Sequence, residues 1–170
     1  MAGESSEQHR ILTFGSEVAT ERFAALLGVQ LKPGQTVLLS GEIGAGKSVF
    51  ARAALQAMMA EHGDIEHVPS PTYTIVQTYD VGPRRVWHCD LYRLGDSSEI
   101  EELGLLDAFE TDIVFVEWPD RLGADIPGRA LHVRLSATDV SGQRTARIHW
   151  FDPNWTTIVN HAAGGVRDPA

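Results

Sequence analysis

The sequence predicts a three-layer α/β domain, and three observations carry the prediction. Thr36-Val37-Leu38-Leu39 and Ile113-Val114-Phe115-Val116 are short apolar runs, the pattern of strands buried on both faces. Ala19, Phe23, Leu26 and Leu27, then Phe50, Ala53, Ala54 and Ala57, recur at three and four residues, the spacing of helices with one apolar stripe. Strand-like segments divided by turn residues complete the pattern. Helices alternating with buried strands cover both faces of a sheet, so the central sheet is expected to be largely parallel, with β-hairpin additions.

In chain order, residues 1 to about 10 are polar and read as a disordered end. Ser16 is placed to cap the first helix, which Pro33 and Gly34 close. The run from Thr36 is the first buried strand, and the second helix opens at Gly46. Tyr73 to Val81 and Arg85 to Tyr92 are strand-like and separated by Gly82-Pro83, which predicts a hairpin. Ser97 and Ser98 open an acidic helix, with Glu101 three residues after Ser98 as in a capping box. After the buried strand at Ile113, Ala130 to Ala137 and Arg144 to Phe151 flank Ser141-Gly142-Gln143 as another hairpin. Residues 161–170 read as a second disordered end.

At 170 residues the chain fits a single domain with a core of its own, spanning 1–170. With 43% apolar and 22% charged residues, its composition is that of a soluble globular protein. No apolar stretch is long enough to cross a membrane, and the N-terminus lacks the apolar core of a signal peptide, so a cytoplasmic location is expected. Cys89 is the single cysteine, which excludes an intrachain disulfide. His67 and His88 have no paired ligand spacing, so no zinc site is expected.

Charge narrows the partners. Fourteen Lys and Arg face 23 Asp and Glu, a formal net charge of −9, which favours contact with protein over contact with nucleic acid. Asp96, Glu99, Glu101, Glu102, Asp107, Glu110 and Asp112 form a run with no basic residue. Such a run is either a solvated helix face or a docking surface for a basic partner. The only lysines are Lys32 and Lys47.

Lys47 lies in the segment that carries chemistry. Gly41-Glu42-Ile43-Gly44-Ala45-Gly46-Lys47-Ser48 matches G-x-x-x-x-G-K-[ST], the P-loop, and it follows a predicted strand and opens a predicted helix as the motif requires. Glycines let the backbone wrap a phosphate, with N–H groups from about Gly44 to Ser48 pointing inward as an anion nest. The helix adds its positive end. Lys47 would place a compact cation on the β- and γ-phosphates, and the Ser48 hydroxyl would ligate Mg²⁺. The fold expectation is therefore a P-loop NTPase domain, with a nucleoside triphosphate and Mg²⁺ as ligands. Such a site also needs a carboxylate at the end of a second buried strand, and Glu117 ends the run from Ile113. Asp90 is a second candidate acid, open on residue pattern alone between a site role and a solvated hairpin position. Trp118 is either packing or the rim of the pocket.

Four blocks together resemble the TsaE (YjeE) family of small bacterial ATPases needed to make threonylcarbamoyladenosine in tRNA. They are Gly41 to Ser48, Ser70-Pro71-Thr72-Tyr73-Thr74, His88-Cys89-Asp90-Leu91-Tyr92-Arg93 and Glu117-Trp118-Pro119, within roughly Ser16 to Pro119. The resemblance implies ATP as the nucleotide. It makes Lys47 and Ser48 the phosphate lysine and metal hydroxyl, Glu117 the Walker B acid, and Asp90 an acid beside the metal or the attacking water. Thr72 would lie in a switch-like loop near the γ-phosphate, Trp118 close to the nucleotide, and the segment from Phe14 to Thr20 near the adenine. Family members are thought to work with TsaD and TsaB, so tRNA would be reached only indirectly. ATP hydrolysis would reset that complex. One departure stands out: many members carry two threonines after the lysine, whereas this chain has Ser48 and Val49. Serine keeps the metal hydroxyl, and Val49 removes one that could bind an α-phosphate.

Two other readings compete. A small-molecule P-loop kinase shares the length and the glycine loop, but no lid segment with clustered arginines follows the second strand. A nucleotide-gated binding module with little turnover would use the acidic run as its docking face.

Overall fold

The computed structural model describes residues 6–63, 75–96 and 98–166. Seven strands form one sheet: β1 (Gln8–Phe14), β2 (Thr36–Ser40), β3 (Val76–Val81), β4 (Arg84–Asp90), β5 (Ile113–Glu117), β6 (Leu131–Ala137) and β7 (Arg144–Trp150). The helices are α1 (Glu17–Gly28), α2 (Lys47–Glu61), α3 (Ser98–Leu103), α4 (Leu105–Thr111) and α5 (Asn154–Gly164), with a 3₁₀ segment over Pro119–Asp125.

The strand order is β1-β7-β6-β2-β5-β4-β3. The expected α/β layering is present, but the sheet is mixed and not largely parallel. Pairings β2–β6, β2–β5 and β4–β5 are parallel, whereas β1–β7, β6–β7 and β3–β4 are antiparallel. The reason is topological. Both hairpins continue the sheet at its edges, and β1 adds to the outside of one of them, so only the centre needs crossover helices.

β2 and β5 are buried because helices cover both of their faces. Val37, Leu39, Ile113 and Phe115 meet α1, α2 and α5 on one side. Leu38, Val114 and Val116 meet α3, α4 and the 3₁₀ segment on the other. Ser16 caps α1 as predicted, its Oγ accepting the Ala19 N–H at 3.2 Å. The single acidic helix expected after Ser98 is two: Gly104, at φ +81°, separates α3 from α4. The Asp96 carboxylate accepts the Ser98 N–H at 3.2 Å.

The expected ends are also corrected. Gln8, His9 and Arg10 pair with β7, and residues 161–164 complete α5. That helix is anchored by buried Trp155, Val159 and Ala162 against α1, which is why it persists past the predicted boundary.

Candidate functional site

β2, β5 and β4 are parallel, so their C-terminal ends share one edge of the sheet, where open α/β sheets place ligand sites. The parallel register puts Leu39 level with Glu117, and Asp90 level with Glu117 on the other side. Gly41 to Gly46 leave β2 at this edge and lead into α2. Two glycines are required by conformation. Gly41 has φ +140°, and a Cβ there would come within 2.4 Å of the Leu135 carbonyl oxygen; Gly46, at φ +107°, precedes the first turn of α2.

Lys47 is only 5% exposed. Its Nζ donates to the carbonyls of Gly41 at 2.7 Å and Glu42 at 2.9 Å, and lies 4.2 Å from the centre of the Trp118 ring. Burial lowers the Lys47 pKa, opposed by the charges of Glu117 and Asp90. Trp118 has φ 59° and is the only non-glycine with positive φ among the described residues. Holding that conformation costs on the order of 1–2 kcal/mol. It is fixed by the Trp118 N–H, which donates to the Leu39 carbonyl at 3.2 Å, and by the Tyr92 ring 5.0 Å away.

The Ser48 hydroxyl approaches both carboxylate oxygens of Glu117, at 2.9 and 3.0 Å. Glu117, 3% exposed, also takes a 2.7 Å contact from Nε2 of fully buried His88, so with Glu117 ionised Nε2 is the donor. His88 Nδ1 is buried with no hydrogen-bond partner among the described residues. Asp90 sits beside this group, its Oδ1 accepting the Tyr92 N–H at 3.0 Å. Burial raises the Asp90 pKa; the Tyr92 hydrogen bond lowers it, nearby Glu117 raises it, and His88 and Lys47 lower it.

A cavity of about 200 Å³ opens here, lined by Glu17, Thr20, Lys47, Ser48, Glu117 and Arg144 among others. Thr20 is buried in its wall, and Val49 lines it as well. Arg144, from the start of β7, donates through Nε to the Ala45 carbonyl at 2.9 Å and through Nη2 to the Gly44 carbonyl at 3.2 Å. It thereby holds the glycine loop from outside.

The structure thus gathers Gly44, Gly46, Lys47, Ser48, Glu117 and Thr20 at one cavity, with Asp90 and Trp118 beside it. Gly41, Glu42 and Ala45 shape the loop, and Ile43 is exposed at its tip. Thr72 lies outside the described residues. Sequence reasoning missed two contributors. His88 was legible in principle, since residues 88 and 90 share a strand face. Arg144 was not, because its position depends on long-range packing. Glu17 lies in the segment from Phe14 to Thr20 expected near the nucleotide, and it lines the cavity with Thr20.

The donors fit a hard divalent cation that is held mostly by something other than protein. Among the described residues no cluster of three His, Cys, Asp or Glu forms a metal cage. One hydroxyl and one or two carboxylates beside a backbone cradle suit Mg²⁺, which keeps waters and phosphate oxygens as ligands. A buried ammonium and a carboxyl raised by burial are both groups that an incoming anion and cation would relieve.

The class defined by fold and site is an α/β protein with a glycine-lysine-serine cradle at the end of a central strand and an acid on the neighbouring strand. Comparison with known proteins carries this further. The family model described as "Threonylcarbamoyl adenosine biosynthesis protein TsaE" matches residues 14–146. A relative named tRNA threonylcarbamoyladenosine biosynthesis protein TsaE, from Rickettsia bellii, is 36% identical over 73% of this chain and 84% of its own. Its namesake from Haemophilus influenzae is 34% identical over 78% of this chain and 80% of its own. The crystal structure of Bacillus subtilis YdiB shares the fold, with a TM-score of 0.74, 21% identity, and coverage of 94% of this chain and 97% of that one. The chain belongs to the TsaE family, which takes part in making threonylcarbamoyladenosine in tRNA.

Proposed function

We propose that this chain is a Mg²⁺-dependent ATPase supporting the protein complex that makes threonylcarbamoyladenosine beside the tRNA anticodon. The contact of Ser48 Oγ with both Glu117 oxygens, on the residue that follows the buried Lys47, carries the reading. It brings a hydroxyl and a carboxylate together at the mouth of an anion cradle. Lys47 and the loop N–H groups would bind the phosphates, and Ser48 with Glu117 and Asp90 would hold Mg²⁺, which would neutralise charge developing on the transferred phosphoryl group. Glu117 or Asp90 would orient the attacking water, and His88 would hold Glu117 in place by its 2.7 Å contact. Thr20 and Glu17 would border the nucleotide, and Trp118 would lie beside Lys47. The partners would be the TsaD and TsaB proteins, a reading that membership of the TsaE family supports.

The test is hydrolysis of ATP labelled on the γ-phosphate, with and without the TsaB–TsaD pair. Label appearing as free phosphate, only with Mg²⁺ and faster with the pair, supports the reading. Label on a metabolite would make the chain a kinase, and stoichiometric binding without release would make it a nucleotide-gated module.

A further inference from the structure

Among the described residues, no helix covers one face of β1, β7 and β6. Phe14, Ala146, Ile148, Val133 and Leu135 turn into the core shared with α1, α2 and α5. The helices of the opposite layer, α3 and α4, pack on β2, β5 and β4 and do not extend over these three strands. Pairing register arranges the uncovered face in rows. His9 lies opposite His149, and His149 opposite His132. Ile11 lies opposite Arg147, and Arg147 opposite Arg134; Thr13 lies opposite Thr145, and Thr145 opposite Ser136.

The His132 and His149 rings stack at 4.2 Å with an 11° interplanar angle, and His9 is 5.9 Å from His149. Glu7 brings an acid to this row, 3.3 Å from His9 and 4.0 Å from His149. Arg134 and Arg147 are exposed, and among the described residues neither has an ion-pair partner. In a chain of net charge −9, this face reverses the local sign.

We infer that this sheet face binds the phosphodiester backbone of RNA. Guanidinium forks match phosphate oxygens, and Thr13, Thr145 and Ser136 add hydroxyl donors of the kind that make phosphate contacts. Imidazoles donate to phosphate and present faces on which unpaired bases stack. A protein partner would want a buried aromatic or aliphatic anchor, and these rows offer only Ile11, 63% exposed. The face also adjoins the glycine loop. A cavity of about 240 Å³ separates Gly41 to Ala45 from Arg134 and Ser136, so RNA lying on β6 reaches the outer side of that loop. This replaces the expectation that RNA is met only through partner proteins. It does not require ATP turnover.

The test is fluorescence anisotropy of a labelled bacterial tRNA titrated with the full chain at about 50 and about 200 mM salt, for wild type and Arg134→Glu/Arg147→Glu. Wild type should bind, and the variant should bind about tenfold or more weakly, with a log–log salt slope shallower by about two, one for each lost phosphate contact. Thermal melting and Mg-ATP affinity of the same variant report the fold and the nucleotide site separately, so failure of the ATPase reading would show there and not in RNA binding. Should the reversal not fold, Arg134→Gln/Arg147→Gln is read in the same way. No wild-type binding to tRNA, or equal binding by the variant, overturns the inference. Binding to polyglutamate but not to tRNA also overturns it and assigns the face to an acidic protein.

Discussion

Lys47 is an ammonium taken out of water and held by two backbone carbonyls and a tryptophan face, with burial lowering its pKa. Glu117 and Asp90 offset part of that cost, and a phosphate would add opposite charge directly at the ammonium. Lys47→Ala should therefore abolish Mg-ATP binding or cut it severely in calorimetry; wild-type affinity would remove the loop from the site. Glu117 has a different task. Its carboxylate meets Ser48 and His88 and lies beside the cradle, so Glu117→Gln should keep ATP binding and lose hydrolysis by on the order of 10²-fold or more. Turnover within a few-fold of wild type would transfer that role to Asp90. Away from this site, burial and neighbouring His149 hold the His132 pKa below 6.5, with Glu7 opposing. The unfolded chain then binds more protons at this position as pH falls through 6.5, so its contribution to stability is complete above that value and is lost below it. His132→Gln should flatten the fall of the melting temperature between about pH 7.5 and about pH 5.5. An unchanged profile would show that the His132 shift is not coupled to folding.

Among the elements, α1 and α2 decide whether the site is assembled at all. α1 carries Glu17 and Thr20, α2 begins with Lys47 and Ser48, and both sets line one cavity. The helices meet at Gly28, where an added Cβ would lie 2.8 Å from the Ala54 side chain and 2.9 Å from the Ala54 backbone. Backbone cannot swing aside as a flexible side chain would, so the helices must separate. Gly28→Ala should cost about 1–3 kcal/mol in denaturant unfolding and weaken ATP binding as the cavity opens. Unchanged stability would mean that the two helices slide freely. Elements also show what the sequence made legible. β2, β5 and the glycine loop announce themselves locally, through apolar runs and a fixed spacing. β1 does not: one of its faces is solvent, so Gln8, His9 and Arg10 look like a polar tail. α5 has Trp155, Ile158, Val159 and Ala162 at helical spacing, yet it shows as a helix only once α1 and β7 give that stripe something to cover. Arg144 and Ala45 stand 99 residues apart, and no local pattern joins them.

On the scale of the whole molecule, charge is segregated. The uncovered face of β6, β7 and β1 presents Arg134 and Arg147, whereas α3 and α4 present Glu101, Glu102, Asp107 and Glu110 to solvent, with Glu99 half-buried. Part of the acidic run is committed internally: Asp112 accepts the Trp87 indole N–H at 2.8 Å, and Glu110 lies 3.7 Å from Arg129. Glu101 and Glu102 are exposed and enter no such contact with a basic side chain among the described residues. They project from a layer that packs against Leu38, Cys89 and Val116, directly behind the strand ends bearing Asp90 and Glu117. A partner docked on α3 would press on the layer that supports both acids, and carboxylates of one sign would steer a basic partner and set its register. Hydrolysis should accordingly be slow in the isolated chain and rise when the TsaB–TsaD pair binds. Glu101→Lys/Glu102→Lys should weaken that association and the stimulated turnover, flatten the salt dependence of association, and leave ATP binding by the isolated chain intact. If the double variant associates and is stimulated like wild type, α3 is a solvated face and the partner docks elsewhere.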